Sequence, residues 1–331
     1  MKKFILLFIL PFIISIISIA IYNKFHIADL FTAFLLGFII AQFINNTILL
    51  EKVENYYLYF LIPIGLFFYG SQINLFFLIK QKPVIYIFIL STMLLYFLLI
   101  IPINKYLFHI LNRRLNYLLA AANAICGISA TIVLIPFTGA KKEEVSITII
   151  SIFITGLISS IIFIYLIDFY FNLNTGGKSI LAATTVNNTG SILFIIENIN
   201  INLTNYVMTI KGFRVSTIIP ISITMMCLLY NKDVTEKAET YERFNSSIFY
   251  ALMLSFILIC SSIIFTFLQA FHKEMTELYK IVFCMVLAGI GMSCRWTTIL
   301  NKIILINIIS SLVGWFAVTF FGYFFLKLFY L

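Results

Sequence analysis

Long, uninterrupted runs of apolar residues constrain this chain more than any other feature. The run Pro83–Ile103, for example, contains no charged side chain. The hydrocarbon core of a bilayer is about 30 Å thick, so a helix that spans it needs about 20 such residues. Of the 331 residues, 62% are hydrophobic and 11% are charged, whereas soluble domains are about 45–50% apolar and about 25% charged. We therefore expect an all-α integral membrane protein.

The apolar runs predict about 10–11 transmembrane helices in a single transporter domain, residues 1–331. An extra N-terminal helix, about residues 4–22, precedes a core of about residues 27–329. The connecting segments are short, and the longest, Tyr230–Asn245, is expected to be a cytoplasmic loop. The predicted spans are Phe4–Tyr22, Ile27–Ile44, Tyr56–Phe77, Pro83–Ile103, Asn116–Pro136, Val145–Phe169, Ser179–Ile196, Asn205–Leu229, Ser246–Phe267, Tyr279–Met292 and Ile303–Phe329.

The net charge of +9 comes mainly from basic residues in loops, where the positive-inside bias is expected to place them. It therefore does not indicate a nucleic-acid partner. An N-terminus inside the cell places more Lys and Arg on the cytoplasmic side. The cluster Lys105, Arg113 and Arg114 supports this orientation, and the pair Lys141 and Lys142 opposes it. The five cysteines are scattered without metal-ligand spacing, so neither a metal nor a cofactor is expected. The sequence leaves open whether the chain forms a homo-oligomer.

Only two charged residues, Lys211 and Arg214, are expected deep within a span. They are three residues apart and therefore share a helix face. A central Lys or Arg costs about 2.5–3.5 kcal/mol on membrane-insertion scales. Two interpretations remain open: a cationic site for an anionic ligand, or structural bonds to backbone carbonyl groups.

Two predicted spans are interrupted by small and polar residues, at Asn123–Ala130 and at Thr184–Ser191. Such segments are typical of helices that unwind inside the membrane and line a cavity, although tight helix packing through small residues would also use them. The segments resemble each other at an offset of 61 residues, since Ala121–Gly127 can be laid on Ala182–Asn188. Internal repeats of this kind are common in secondary transporters.

Three motifs then carry a family resemblance, in matching order and spacing. Cys126–Ala130 reads C-G-I-S-A, Asn187–Thr189 reads N-N-T, and Lys211–Arg214 reads K-G-F-R, with Pro220 after it. From about Leu35 to its C-terminus the chain resembles the YeiH-like family of bacterial inner-membrane proteins, to which sulfate export is attributed. The family pattern has H-D-T where this chain has N-N-T. Asn keeps hydrogen bonding but cannot carry a proton. If relatives move protons through that pair, three alternatives stay open for this chain: it is uncoupled, differently coupled, or specific for another ligand.

The resemblance implies a multi-pass protein of the bacterial plasma membrane. Its fold would be related to cation/proton antiporters and bile-acid symporters, with interrupted helices and internal repeats. The expected partners are the lipid bilayer and a small anion such as sulfate or a sulfonate. The candidate substrate-binding residues are Cys126, Gly127, Ser129, Asn187, Asn188, Thr189, Ser191, Lys211 and Arg214.

Three classes of function compete on these residues. The leading interpretation is a secondary transporter, since no nucleotide-binding motif is present to supply energy. An anion channel would use the same cationic site, and a membrane scaffold without transport activity is the third alternative. An enzyme is not expected, and no catalytic residue is assigned, because no histidine lies within a span to activate Ser129 or Ser191.

Overall fold

The computed structural model describes residues 8–25, 29–43, 60–72, 83–110, 112–167, 170–171, 173–188, 191–192, 195, 204–230, 253, 256–257, 259–268, 271–292 and 302–329. Within these ranges the chain is helical and contains no β-strand. The longer helices are α1 Leu10–Phe25, α2 Asp29–Ala41, α3 Ile62–Tyr69, α4 Pro83–Pro102, α5 Arg113–Ala124, α6 Ile128–Thr138, α7 Lys142–Ile162, α8 Thr175–Thr185, α9 Thr204–Ser216, α10 Ile218–Tyr230, α11 His272–Met292 and α12 Lys302–Phe329.

The all-α membrane class predicted from the sequence is confirmed. Five helical stretches in the described residues are long and apolar enough to cross a bilayer. Much of their surface is exposed apolar side chain, as expected where lipid is the solvent. These stretches are Pro83–Leu107, Glu143–Tyr165, Ile210–Leu229, Lys273–Met292 and Lys302–Phe329. Most of the predicted span Ser246–Phe267 and the loop Tyr230–Asn245 lie outside the described residues.

Helix α11 begins at His272, seven residues before the predicted span start at Tyr279. The helical turns before Tyr279 carry charged residues, and a span predicted from apolar residues alone does not include them. Glu274 lies in the first turn, where a carboxylate favours the positive end of the helix dipole. Glu277 pairs with Lys280 at 3.0 Å, one turn further along. The helix therefore extends past the apolar run because local charge pairing stabilises it.

One group of helices contains α1, α2, α3 and α11, which pack against one another. Helices α2 and α11 approach very closely at two glycines. A Cβ on Gly37 would overlap the Ala288 backbone, and one on Gly291 would overlap the Phe34 carbonyl group. Small residues that permit such backbone contact are the usual means of helix association in membranes.

The second group contains α4 to α10 and α12, with α12 packed along α4 and α7. Its interior holds buried asparagines that link three elements. The Asn104 amide donates to Asn116 Oδ1 at 3.0 Å and to Asn307 Oδ1 at 3.3 Å. Because lipid offers no hydrogen-bond partners, such bonds fix the register of the helices that carry them.

Both segments expected to be interrupted are interrupted. Helix α5 ends at Ala124 and α6 begins at Ile128, so residues 125–127 are not helical. Helix α8 ends at Thr185 and is followed by the non-helical residues 186–188. At the offset of 61 residues the two helix ends coincide, since Ala124 corresponds to Thr185. The repeated sequence pattern thus marks two equivalent helix breaks.

Candidate anion site at two broken helices

The first break turns at Gly127, whose backbone has φ = 73° and ψ = −119°. L-residues rarely adopt this conformation, whereas glycine does so without steric cost. A Cβ at this position would lie 3.1 Å from Ile152 Cγ2 and 3.4 Å from the Asn187 carbonyl oxygen. The two breaks therefore meet at Gly127 and Asn187, and the glycine permits both the turn and the contact.

The broken helices leave carbonyl groups that have no partner within their own helix. At the end of α5 these are the carbonyl groups of Asn123 and Ala124, and at the end of α8 those of Ala183, Thr185 and Val186. All of them are inside the protein. Each unsatisfied group would cost several kcal/mol in a medium without water, so other side chains must donate to them.

Arg214 of α9 satisfies most of these carbonyl groups. Its Nε and Nη2 donate to the Ala124 oxygen at 3.0 and 2.8 Å, and Nη2 also donates to the Asn123 oxygen at 3.0 Å. Nη1 donates to the Ala183 oxygen at 2.9 Å and to the Val186 oxygen at 3.2 Å. The side chain is fully buried. All five guanidinium N–H groups are thus directed at the two broken helix ends.

Lys211 and Tyr96 complete the same set of bonds. Lys211 Nζ donates to the Val186 oxygen at 3.0 Å and to the Asn187 oxygen at 2.5 Å. The Tyr96 hydroxyl, from α4, donates to the Thr185 oxygen at 2.6 Å. Both side chains are buried. Three donors from two helices therefore hold the ends of α5 and α8 together.

The charges at the crossing do not cancel. Each broken C-terminal end carries roughly −0.5 elementary charge, about −1 for the two together. Arg214 is always protonated, and a protonated Lys211 brings the side-chain charge to +2. Within the described residues no carboxylate forms an ion pair with either side chain. The N-terminal end of α6, at Ile128, adds a further partial positive charge.

Asn187 links the two breaks rather than facing away from them. Its side-chain amide hydrogen-bonds to that of Asn123, which in turn bonds to Ser311 Oγ of α12 at 3.0 Å. Asn187 is completely buried. An amide suits this position because it has both N–H groups and an acceptor oxygen to pair with the Asn123 amide of the first break.

Cys126 and Ser129 face the first group of helices. The Cys126 thiol lies beside the Tyr69 hydroxyl of α3. Ser129 Oγ lies 3.5 Å from the Tyr279 hydroxyl of α11. The tyrosine rings contact each other, with centroids 4.8 Å apart. The N-terminal end of α6 therefore lies on the boundary between the two helix groups.

Asn188 and Ser191 lie on another side of the second break, against α7. A Cβ on Gly156 would be 3.5 Å from Asn188 Cβ and 3.1 Å from Ser191 Oγ. Both residues are buried. Thr189, the remaining predicted site residue, lies outside the described residues. Eight of the nine predicted site residues are thus described, and each lies in one of the two breaks, within three residues of a break, or on α9, which bonds to the breaks.

The sequence did not single out several residues that the structure places at the site: Tyr69, Tyr96, Gly156, Tyr279 and Ser311. A hydroxyl or a small residue within an apolar run is too common to mark a site. Asn123 was visible, because it opens the interrupted segment, but it was not assigned to the site. Its amide joins both breaks to α12.

These features define a multi-pass membrane protein with two helices broken inside the membrane and two cations at the crossing. The chain belongs to the family described as conserved hypothetical protein 698, whose model matches residues 4–309.

Two relatives show how much of the chain is similar to other members of the family. A UPF0324 membrane protein of Archaeoglobus fulgidus is 29% identical over 182 residues, which cover 55% of this chain and 54% of that protein. A UPF0324 membrane protein of Streptococcus agalactiae serotype V is 28% identical over 260 residues, which cover 76% of this chain and 74% of that protein. The chain thus spans about half the length of the archaeal relative. No solved structure matches.

Proposed function

We propose that this protein is a secondary transporter, not an enzyme, and that it carries a small anion such as sulfate or an organic sulfonate. The observation that carries the proposal is the pair of buried cations, Lys211 and Arg214, at the crossing of two broken helices without a described carboxylate to balance them. An uncompensated buried charge is costly. A bound anion would balance it.

The hydrogen-bond donors at the site have two different roles. The N–H groups of Arg214 are already directed at backbone carbonyl groups, so this residue contributes charge and fixes the breaks. Direct bonds to the anion would come from the N-terminal end of α6 and from side chains there, such as Ser129. Sulfate accepts hydrogen bonds at every oxygen, and a helix N-terminus offers N–H groups without intrahelical partners.

The position of the site supports transport. Ser129 and Cys126 contact tyrosines of the first helix group, while Lys211 and Arg214 belong to the second. Movement of one helix group against the other would change the access to a site at their boundary, as in transporters built from broken helices. The resemblance to YeiH-like proteins adds sulfate to the candidate substrates. A gradient of an ion or of substrate would supply the energy.

A thermal-shift screen of the purified protein tests ligand binding directly. Sulfate, sulfite, thiosulfate, taurine, cysteate and simple carboxylates are added, and an anion at 100 times its dissociation constant should stabilise the fold by about 2.7 kcal/mol. Lys211→Gln keeps an amide donor but removes the charge, and it should lose this response, while Lys211→Arg should keep much of it. An unchanged response in Lys211→Gln, or no response to any anion in the parent protein, would overturn the proposal.

Flux into proteoliposomes tests the class of function. A carrier should show saturable uptake of the stabilising anion and counterflow when the lumen is preloaded. The control is Lys302→Gln, which removes an exposed charge at the start of α12, outside the crossing. Large single-channel currents without saturation would instead identify an anion channel.

A further inference from the structure

An open apolar groove runs along the outside of the second helix group, between α4 and α10. Its volume is about 590 Å³. Leu94 and Leu98 form one wall and are 58% and 57% exposed. Ile221 and Met225 lie on the opposite wall, and Thr217 lies deep in the groove. In a bilayer this surface faces lipid, so hydrocarbon is its natural occupant.

The length of the groove corresponds to one leaflet. Its wall on α4 extends from Leu90 to Pro102. At a rise of 1.5 Å per residue this distance is about 18 Å. The hydrocarbon core of a bilayer is about 30 Å thick, or about 15 Å for each leaflet. A single acyl chain would therefore fill the groove from the membrane surface to near the midplane.

One end of the groove carries positive charge. Tyr117 and Leu228 line this end. The Arg113 guanidinium carbon lies 6.0 Å from the Tyr117 ring centroid, and Arg113 Nη2 donates to the Leu228 carbonyl oxygen at 3.5 Å. The side chain is only partly buried. Arg113 is thus held at the mouth of the groove with part of its guanidinium accessible.

A second cation follows the groove wall of α4 in the chain. Lys105 is exposed and comes three positions after Pro102, the last groove residue of α4, in the π-helical turn Ile103–Leu107. Its neighbour Asn104 bonds to Asn116 of α5, the helix that carries Arg113. Lys105 belongs to the basic cluster that the sequence assigns to the cytoplasmic side. Basic pockets between transmembrane helices on this side bind anionic lipid headgroups.

We propose that the groove binds one anionic phospholipid, with an acyl chain along α4 and α10 and the phosphate at Arg113 and Lys105. The apolar wall matches the acyl chain, and the basic mouth matches the phosphate. A hydrocarbon without a headgroup would leave the cations unused, and a free phosphate would leave the apolar wall unused. A second protein copy related by twofold symmetry would bring its own Arg113 and Lys105 to the same interface. Like charges there would oppose such a dimer.

Native mass spectrometry of the full-length protein in detergent tests this proposal. Dioleoyl phosphatidylglycerol and dioleoyl phosphatidylcholine have the same acyl chains but different headgroup charge. The protein should retain one phosphatidylglycerol molecule at least five times more readily than phosphatidylcholine. The double variant Lys105→Gln, Arg113→Gln should remove this preference, because it removes the charges that would bind the phosphate.

The matched control is Lys302→Gln. The bond between Asn104 and Asn307 places the start of α12 at the same end of the molecule as Lys105, and Lys302 does not line the groove. This variant should keep the preference. Equal retention of phosphatidylglycerol in the double variant and in this control would overturn the proposal, because the charge effect would then not belong to the groove.

A groove-filling variant tests the acyl chain independently of charge. Leu98→Trp should reduce retention of phosphatidylglycerol about as much as the double variant does. Undiminished retention in Leu98→Trp would place the lipid elsewhere and overturn the proposal. Competition by free glycerol 3-phosphate would identify a site for a soluble phosphate instead. A dimer in the parent protein that Leu98→Trp dissociates would identify the groove as an interface between copies.

Discussion

The Arg214 guanidinium donates twice to the Ala124 carbonyl oxygen, from Nε at 3.0 Å and from Nη2 at 2.8 Å. Ala124 is the last residue of α5, so this pairing closes a helix end inside the membrane. The same guanidinium reaches the Ala183 oxygen of α8 on its other side, at 2.9 Å. A planar side chain with five N–H groups can serve both ends at once, and no other residue type can.

Replacement of Arg214 by Gln should therefore damage the fold as well as transport. Lys211 would still donate to the Val186 oxygen. Of the other three carbonyl groups that Arg214 serves, at least one would lose its donor, since one amide has two N–H groups. Each unsatisfied buried group costs about 1–3 kcal/mol, and whole proteins are stable by only about 5–15 kcal/mol. We expect loss of the monodisperse peak in detergent, or a marked decrease in melting temperature, measured by fluorescence-detected size exclusion.

Arg113→Gln provides the matched control, because Arg113 is only partly buried and makes one long bond, at 3.5 Å, to the Leu228 oxygen. Its melting temperature should change little. A folded, stable Arg214→Gln protein would show that the helix ends find other donors. The expected loss of stability rests on the saturated guanidinium, since all its N–H groups already serve the two broken helix ends.

Tyr96→Phe removes one donor from the second break. The hydroxyl donates to the Thr185 oxygen at 2.6 Å, and both groups are buried. Loss of the bond should decrease the free energy of unfolding by about 1–3 kcal/mol, because the carbonyl group is left without a partner. Tyr165→Phe, at a side chain that is 74% exposed, should change it by less than about 0.5 kcal/mol. Thermal unfolding of the two variants under identical detergent conditions makes the comparison.

The sequence predicted the class, the approximate positions of the five spanning stretches that the structure describes, and both breaks, because each depends on local composition. An apolar run of the right length specifies a spanning helix, and Gly127 or the pair Asn187 and Asn188 specifies where one stops. The partners of Lys211 and Arg214 were not predictable in this way. The bonds of Arg214 to Ala124 and Ala183 cross 90 and 31 residues of chain. Those of Lys211 to Val186 and Asn187 cross 25 and 24 residues, and backbone carbonyl groups carry no sequence signal.

Residue type alone also did not show which polar residues are structural and which are candidate ligands. Asn187 and Asn188 look equivalent in the sequence, yet they lie on different sides of the break. Val186 has an extended backbone at ψ = 131°, and successive side chains of extended chain point in opposite directions. Asn187 therefore bonds to Asn123, while Asn188 packs near Gly156. Only the local backbone conformation distinguishes a structural amide from a candidate ligand.

Gly127→Ala tests the geometry of the first break. The residue has φ = 73°, and an added Cβ would lie 3.1 Å from Ile152 Cγ2. Backbone strain of this kind costs about 1–3 kcal/mol, and the melting temperature should fall accordingly. Gly176→Ala is the control: it lies in α8 without a positive φ, and its nearest neighbour would be Asn174 Oδ1 at 3.5 Å. That substitution should be neutral or slightly stabilising. Equal effects of the two substitutions would contradict the assigned strain.

Gly37→Ala tests the close approach of α2 and α11 in the first helix group. Its Cβ would overlap the Ala288 carbonyl group, and a backbone cannot move aside without separating the helices. We expect a decrease of several degrees in melting temperature. Gly314→Ala is matched in residue type and helical setting, but its Cβ would meet side chains rather than backbone, with Ile100 Cγ1 at 3.2 Å and Tyr96 Cδ1 at 3.6 Å. A side chain can rotate away, so this variant should lose less stability. If both variants unfold at the same temperature, backbone contact is not what holds α2 against α11.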